Sequence, residues 1–271
     1  MHTPIGSPVA LAITGSDSGG GSGLQADLKA FAALGVYGAT AVTCITAQNP
    51  GALSAIQPVD PRTIKEQIRK VCDAFPVAAA KTGMVYASDI VRAVAEADVE
   101  FGIPVLVVDP VMVAASGTRL LKTDAVESLC AELFPAARVV TPNLHEAEII
   151  IGRSISNADE LRAAAREIGE KFDVACVAMG GQLAGGTVTD VLFDEGEEHV
   201  FTGPRIEVGK IQGCGGAFSA ALTAYLARGH LLPDAVHAAK DFVVGAIEHA
   251  HRFGSHRVLH YFWNASLSGP F

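Results

Sequence analysis

Residues 13–27 read ITGSDSGGGSGLQAD and decide the fold, because they join a short apolar strand at 9–14 to the start of a helix. Helical periodicity begins behind Ser22, which we predict as the N-cap of that helix. The apolar residues that share one face of this helix are Leu24, Leu28 and Phe31. A glycine-dense turn leaves backbone N–H groups unobstructed at a helix N-terminus, where the helix dipole favours anionic or polar ligands.

The glycine-rich turn fits neither of the two common phosphate-binding signatures. Segment 19–24 places Leu24 where a dinucleotide-binding fingerprint needs its third glycine. The chain's only Gly-Lys pair, Gly209-Lys210, is followed by Ile211 and lacks the upstream glycine of a Walker motif. By itself the turn is therefore equally compatible with a structural role.

The composition is that of a well-packed globular protein. The chain has 271 residues, of which 49% are hydrophobic and 18% are charged, so there is ample apolar surface for a core. The formal net charge of −9 argues against a nucleic-acid or anionic-membrane partner, since there is no basic run that could release counterions. Phosphate ligands remain possible, because backbone amides and a metal ion can hold them.

Targeting signals and disulfides are not expected. There is no Lys or Arg before Lys29, and the first apolar run is only as long as a strand, which argues against a signal peptide. No apolar stretch approaches the ~20 residues that a membrane span needs. We therefore predict a cytoplasmic protein, in which five scattered cysteines stay as reduced thiols: Cys44, Cys72, Cys130, Cys176 and Cys214.

Strands and helices alternate along the chain, which predicts an α/β fold with a mainly parallel central sheet flanked by helices. Predicted strands lie at 9–14, 38–46, 77–81, 104–109, 138–141 and 174–179, followed by an antiparallel pair at 188–194 and 199–203. Predicted helices follow Ser22 and cover 60–75, 88–100, 124–134, a segment from Asn157 capped by Glu160, 215–228 and 233–251. No linker or repeat interrupts this order, so we predict one domain over 1–271.

Polar residues follow several of the predicted strands. Each of these residues alone is compatible with a cap or a turn. Because ligands in such sheets bind at the carboxyl ends of the strands, their recurrence there favours a pocket. They are Ser16-Asp17, Gln48-Asn49, Lys81-Thr82, Asp109, Asn143 and Glu146.

These segments together resemble the hydroxymethylpyrimidine kinase and phosphomethylpyrimidine kinase family of thiamine biosynthesis, within the ribokinase-like superfamily. The matching motifs are GSDSGGGSGLQAD (15–27), TAQNP (46–50), AKTGM (80–84), VVDPVM (107–112), TPNLHEAE (141–148) and GCGGAFSAAL (213–222). The resemblance implies a three-layer α/β/α fold, an ATP- and Mg²⁺-dependent kinase activity on a small aminopyrimidine, and a homodimer.

The resemblance also implies roles for individual residues. Gly15, Asp27, Gln48, Met84 and Val111 would surround the pyrimidine, where the Gln48 amide can both donate and accept hydrogen bonds. Asp109 and Glu146 would serve the magnesium, usually through water. The amides of Gly213, Cys214, Gly215 and Gly216 would bind the transferring phosphoryl group, and Asn143, Met179 and Lys240 would lie near the nucleotide. If the motifs are not considered, a structural interpretation is available for three of these residues: Asp27 in the first turn of a helix, Met84 in the core and Glu146 as a solvated helix acid.

Two positions depart from the family pattern. The superfamily carries Asp or Cys at the last position of the Gly-x-Gly-x turn, to take the proton of the substrate hydroxyl, but this chain has Gly216. The lysine usually found before a Gly-Gly pair is Met179 here. A slow kinase and a catalytically impaired ligand-binding homologue are therefore both open, as is a pyridoxal or pyridoxine kinase with the same ring-plus-hydroxymethyl substrate layout.

Four histidines near the C-terminus invite a metal-site hypothesis. His256 and His260 are four residues apart, which on a helix would place them on one face. No acidic partner or clear helical frame accompanies these two residues or the other pair, His249 and His251. Solvated surface histidines are the interpretation we favour.

Overall fold

A nine-stranded sheet forms the centre of the protein in a computed structural model that describes residues 6–113, 119–209 and 211–264. In chain order the strands are β1 (Val9–Asp17), β2 (Tyr37–Asn49), β3 (Ala52–Pro58), β4 (Val77–Thr82), β5 (Leu106–Val108), β6 (Val139–Val140), β7 (Ala175–Met179), β8 (Thr187–Asp194) and β9 (Glu197–Pro204). Their spatial order is β3-β2-β1-β4-β5-β6-β7-β8-β9. The run from β2 to β7 is parallel, whereas β3 and the β8–β9 hairpin are antiparallel at the two edges.

Helices cover both faces of the sheet, which confirms the three-layer ribokinase-like α/β/α prediction. They are α1 (Gly23–Ala33), α2 (Pro61–Ala74), α3 (Ser88–Phe101), α4 (Ala125–Ser128) with a π-helical continuation (Leu129–Leu133), α5 (Leu144–Ile151), α6 (Ala158–Phe172), α7 (Cys214–Ala227) and α8 (Leu232–Glu248). Helices α2 to α6 pack on one face and α1, α7 and α8 on the other. In β1, Leu11 and Ile13 face the first layer while Ala10 and Ala12 face the second, as expected for a strand buried on both sides.

Strands β1 and β2 are longer at their carboxyl ends than the sequence predicted. Strand β1 continues to Asp17 after a register shift between Thr14 and Ser16, and β2 continues to Asn49. From there the chain turns back into β3, which was not predicted because most of its side chains are exposed and show no apolar alternation. Helix α5 was also missed, since only eight residues carry its pattern.

Helix starts follow local capping chemistry, with one difference from prediction. Asp60 accepts a hydrogen bond from the Arg62 amide at the start of α2, as predicted. Asn157 likewise caps α6 through the Glu160 amide. The Glu160 carboxylate, however, accepts from the Ser156 amide rather than from that of Asn157, so the predicted reciprocal capping box is not formed.

The C-terminal histidines do not lie on a helix, so that part of the metal-site hypothesis is wrong. Helix α8 ends at Glu248, and the chain forms a small hairpin of β10 (His251–Phe253) and β11 (His256–Val258). The ring centroids of His251 and His260 are 4.3 Å apart. Within the described residues there is no group of three or more His, Cys, Asp and Glu side chains that could hold a metal ion.

Two further expectations concern the whole chain. All five cysteines are free, as predicted for reduced thiols. Among the helices of the described segments, none has both the length and the apolar character needed to cross a bilayer.

Candidate active site

A cavity of about 800 Å³ opens at the carboxyl edge of the parallel strands. This is where the sequence placed its polar residues, and where ligands of such sheets bind. All but one of the predicted site residues line this cavity: Gly15, Gln48, Met84, Asp109, Val111, Asn143, Glu146, Met179, Gly213, Cys214, Gly215, Gly216 and Lys240. The exception is Asp27, whose position is described below.

The turn after β1 is held by a buried carboxylate. Asp17 accepts hydrogen bonds from the Gly19 amide at 2.8 Å, the Ser22 amide at 3.0 Å and the Ser22 hydroxyl at 2.9 Å. Ser22 therefore occupies the N-cap position of α1 without capping the helix through its own side chain. Glycine is required at position 23, where φ is +57° and a β-carbon would lie 2.4 Å from the carbonyl oxygen of Gly15.

Two carboxamides meet at the Ser22 hydroxyl. The Gln48 amide nitrogen donates to Ser22 Oγ at 3.3 Å, and the Gln212 amide nitrogen donates to the same oxygen at 3.2 Å. The Thr46 hydroxyl donates to the Ser16 carbonyl oxygen at 3.0 Å and lies 3.3 Å from the Gln48 carbonyl oxygen. Gln212 precedes the glycine turn of α7, so this contact joins the β1 and α7 turns. Sequence reasoning missed Gln212, since no local pattern singles it out.

The wall beside Gln48 is apolar. Met84 is buried and Val111 half-buried, and both pack in a small cluster with Cys44 and Leu120. Gly15 forms the floor, because a β-carbon there would lie only 2.7 Å from Cys44 Sγ. An apolar slot with one oriented carboxamide suits a flat, hydrogen-bonding heterocycle.

A buried ionic network that includes Asp27 lies under the cavity. Asp27 has 0% exposure, is not on the cavity wall and pairs with Lys81, whose Nζ is 2.8 Å from Asp27 Oδ1. Lys81 lies between Asp27 and the cavity, and its Nζ is 3.9 Å from Asp109 Oδ2. Burial raises the pKa of Asp27 to about 6, although the Lys81 charge opposes this rise. Asp27 is thus paired with Lys81 and does not line the cavity.

Asp109 and Glu146 are the two carboxyl groups that could serve a metal ion. The Glu146 oxygens accept from the amides of Asn143 at 3.0 Å and Met112 at 3.3 Å, and Asn143 caps α5 in a complete capping box. Glu146 is therefore a buried cap and not a solvated acid. Burial, followed by the Asp109 charge, raises the pKa of Glu146 to about 8, and burial also raises that of Asp109.

The donor chemistry at these two carboxyl groups fits Mg²⁺. Oxygen ligands are what this ion prefers, and a cation would favour the ionised form that burial and mutual repulsion now disfavour. Because backbone amides already occupy both Glu146 oxygens, water-mediated contact suits this residue better than direct coordination.

The turn 213–216 presents backbone amides at the start of α7, a 14-residue helix. Gly213 has φ +89°, and a β-carbon there would lie 2.2 Å from the Gly21 carbonyl oxygen, so only glycine fits. The first hydrogen bond within the helix runs from the Ala217 amide to the Gly213 oxygen at 2.8 Å. The N–H groups of the first turn are left without helical partners and form a site suited to an anion. We call residues 213–216 the phosphate cradle.

No side-chain base is present in the phosphate cradle. A β-carbon added at Gly216 would have no heavy atom within 4 Å, so the position has room for a side chain that this chain lacks. The Cys214 thiol does not substitute, because burial raises its pKa to about 11 and keeps it protonated at neutral pH. Cys214 can contribute its backbone amide only.

Near Lys240 and Met179, where the resemblance implies the nucleotide, the expected positive charges are largely neutralised or absent. Lys240 is buried and its Nζ lies 2.5 Å from Asp190 Oδ2, while the other Asp190 oxygen accepts from the Gly180 amide at 2.9 Å. Met179 brings no charge. Arg205 partly compensates for this, because its guanidinium lines the cavity and donates to the carbonyl oxygens of Gly185 at 2.7 Å and Gly181 at 3.0 Å.

Sequence reasoning had little signal for several of these partners. Lys81 was identified only as one polar residue at a strand end, and Asp190 and Arg205 were not singled out. Lys81 and its partner are 54 positions apart, Asp190 and its partner 50, and Arg205 and its partners 20–24. No local sequence pattern predicts contacts at such separations. Only the charged character of Lys81 inside an apolar strand context hinted that it needs a buried counter-ion.

Comparison with known proteins gives a consistent family. A family model described as phosphomethylpyrimidine kinase matches residues 17–260. The hydroxymethylpyrimidine/phosphomethylpyrimidine kinase of Rhizobium meliloti is 44% identical over 90% of this chain and 92% of that protein. The thiamine biosynthesis bifunctional protein ThiED of Geobacter sulfurreducens is 40% identical over 90% of this chain, which spans 50% of that longer protein.

Solved structures of two kinase types have the same fold. The phosphomethylpyrimidine kinase of Clostridium difficile is 38% identical, with a TM-score of 0.78 over 88% of this chain and 99% of that one. The pyridoxal kinase of Bacillus subtilis, solved as an ADP complex, is 35% identical, with a TM-score of 0.87 over 94% of this chain and 97% of that one.

Proposed function

This chain belongs to the phosphomethylpyrimidine kinase family, and we propose on that basis that it transfers the γ-phosphoryl group of ATP to the hydroxymethyl group of 4-amino-5-hydroxymethyl-2-methylpyrimidine in thiamine biosynthesis. Its monophosphate is a second candidate acceptor. One observation carries the proposal: the Gln48 slot and the phosphate cradle are walls of the same cavity. A hydroxyl held at one can therefore meet a phosphoryl group held at the other. A single domain and a cytoplasmic location stay predictions from the sequence, and a homodimer stays a prediction from the resemblance.

The ring is proposed to bind between Gln48 and the apolar wall. The Gln48 amide, which donates to the Ser22 hydroxyl, offers hydrogen bonds to the aminopyrimidine edge. Met84 and Val111 supply the apolar contact. We propose no direct contact between Asp27 and the ring, because its carboxylate is buried and paired with Lys81.

The phosphoryl group is proposed to rest on the amides of residues 213–216. Preorganised N–H donors stabilise negative charge on the transferring group without reorganisation during the reaction. Asp109 and Glu146 would hold Mg²⁺, which neutralises phosphate charge when bound. Lys240, Arg205 and Asn143 surround the remaining part of the nucleotide.

Proton removal is the weak step of this site. The substrate hydroxyl loses a proton during transfer, and Gly216 offers no group to accept it. Phosphoryl transfer proceeds through a loose transition state, so positioning and electrostatic stabilisation carry most of the catalysis. The absent base is worth about 10²–10⁴-fold in rate, which makes a slow kinase the activity that this geometry supports.

Two other functions each have an observation in their favour. The likeness to a pyridoxal kinase structure favours pyridoxal or pyridoxine as substrate, whereas the oriented Gln48 amide favours an aminopyrimidine. Gly216 and Met179 favour a catalytically silent protein that binds the pyrimidine or the nucleotide.

A coupled ATP-turnover assay separates these functions. We expect slow, Mg²⁺-dependent turnover with the hydroxymethylpyrimidine and little with pyridoxal. Activity on pyridoxal alone would contradict the substrate assignment. Calorimetric binding of the pyrimidine with no product detected by mass spectrometry would identify a silent binding protein.

A further inference from the structure

Lys81 connects the buried carboxylates to the phosphate cradle. Its side chain is 2% exposed, and its Nζ donates to Asp27 Oδ1 at 2.8 Å and to the Gly216 carbonyl oxygen at 3.4 Å. On the same helix, the Ser219 hydroxyl donates its proton to Asp109 Oδ2 at 2.7 Å. The first turns of α7 are therefore tied to the sheet at two points, the Gly216 carbonyl oxygen through Lys81 and the Ser219 hydroxyl through Asp109.

We propose that Lys81, with Asp27 as its buried counter-ion, is a positioning residue that holds the phosphate cradle in place through the Gly216 carbonyl. This inference rests on the proposed kinase function for its effect on rate, but not for its effect on the α7 turn. It replaces the ring-binding role that the family resemblance implied for Asp27.

The charge arrangement explains why a lysine is needed at this position. Two of the described lysines, Lys81 and Lys240, line the cavity. Lys240 is paired with Asp190, away from residues 213–216. Lys81 is thus the ammonium that contacts the cradle. Its positive charge adds to the positive end of the α7 dipole beneath the site where phosphate charge collects.

Burial explains why a counter-ion is needed as well. An unpaired ammonium in the interior is strongly disfavoured, and Asp27 on α1 meets that requirement. Because Asp27 comes from the helix that follows the β1 turn, the pair also links α1 to α7 at the cavity. A shift of about 1 Å in a catalytic group lowers rates by about 100-fold, so this link matters for positioning.

The experiment compares the wild-type protein with Lys81→Met, Asp27→Asn and the double variant Asp27→Asn/Lys81→Met, which leaves neither charge unpaired. Lys65→Met is the matched control, because Lys65 is an exposed lysine on α2 with surface ion pairs only. Two readouts are taken for each protein. Hydrogen–deuterium exchange follows peptides over 213–220 and over 232–248, and steady-state kinetics give kcat and KM for the pyrimidine.

We expect faster exchange at 213–220 in Lys81→Met and in the double variant, with 232–248 unchanged. We expect kcat to fall about 100-fold while KM for the pyrimidine changes by less than about threefold. Asp27→Asn is expected to lower kcat in the same direction with an unchanged KM. Lys65→Met should match the wild type in both readouts.

Two results would overturn the proposal. One is unchanged exchange at 213–220 in both Lys81 variants, and the other is an Asp27→Asn protein with raised KM and normal kcat, as a ring ligand would give. If the wild-type protein makes no phosphorylated pyrimidine but the exchange at 213–220 still responds to Lys81→Met, the proposed kinase function fails and the positioning role stands.

Discussion

Placing a base at position 216 is the perturbation with the largest predicted effect on rate. The position lies in the first turn of α7, and an added β-carbon would meet no heavy atom within 4 Å. Gly216→Asp therefore introduces a carboxylate without a steric penalty. A general base contributes about 10²–10⁴-fold to a proton-transfer step, so we expect kcat to rise by at least about 100-fold.

The stability of Gly216→Asp should rise slightly. Replacing a helical glycine by alanine gains about 0.5–1 kcal/mol, of which aspartate keeps only a small part, and an acidic residue in the first turn adds about 0.3–1 kcal/mol through the helix dipole. The nearby Asp109 charge opposes part of this gain. A small increase in Tm together with a large increase in kcat is therefore the expected pattern, measured by thermal melts and by the coupled assay with the hydroxymethylpyrimidine.

Two control variants separate the base from the side-chain volume. Gly216→Ala adds only the β-carbon and should raise Tm without raising kcat, and Gly216→Asn adds a group of the same shape with no basic carboxylate. Gly216→Cys should also raise the rate, since a thiol at a helix N-terminus has a lowered pKa. Equal rates for the Asp, Asn and Ala variants would refute the assignment of position 216 as the site of the missing base.

Three further predictions test the substrate slot, the cradle and a buried acid. Gln48→Met should lower kcat/KM for the hydroxymethylpyrimidine about 10- to 100-fold, because hydrogen bonds to the ring are lost, and should leave any pyridoxal turnover nearly unchanged. Equal losses on both substrates would argue against a specific contact between Gln48 and the pyrimidine. Gly213→Ala should lower Tm far more than Gly229→Ala. Both glycines have φ above +80°, but only at Gly213 would a β-carbon lie 2.2 Å from another atom, the carbonyl oxygen of Gly21. Similar Tm values for the two variants would contradict that close contact. Burial raises the pKa of Asp98 from 3.8 to about 6, so the folded state holds this proton more tightly than the unfolded chain does, and the free energy of unfolding should fall as pH rises through that interval. Asp98→Asn should remove this decrease and be more stable than the wild type at pH 7 but not at pH 4, as followed by melts across pH.

Much of the fold follows from the sequence, because its elements are locally encoded. Apolar strands such as 104–109 and cap residues such as Asp60 carry their signal within a few positions. Strand β3 was missed since its stability comes from pairing with β2 and not from its own pattern. Edge strands such as β3 are held by hydrogen bonds to a neighbouring strand, and a short stretch of sequence contains no signal for that pairing.

The site divides in the same way. The motif positions Gln48, Met84 and Val111 reach the cavity as the family resemblance implied. The role of Asp27 at the ring stays a prediction, because its carboxylate is paired with Lys81, which is 54 residues away and becomes its partner only in the folded chain. A buried charge is positioned by its counter-ion, so roles carried over from motifs are least secure for such residues.

The glycine positions of the site indicate a protein that binds the pyrimidine tightly and phosphorylates it slowly. Gly15, Gly23 and Gly213 are retained, and at each a β-carbon would come within 2.7 Å of another atom, so their loss would damage the fold itself. Gly216, by contrast, lies in open space, where the absence of a side chain has no structural penalty. Changes of this kind leave the ring slot and the cradle intact and remove only the proton acceptor. We therefore expect the affinity for the pyrimidine to be that of an ordinary family member, with the loss of the proton acceptor seen in kcat.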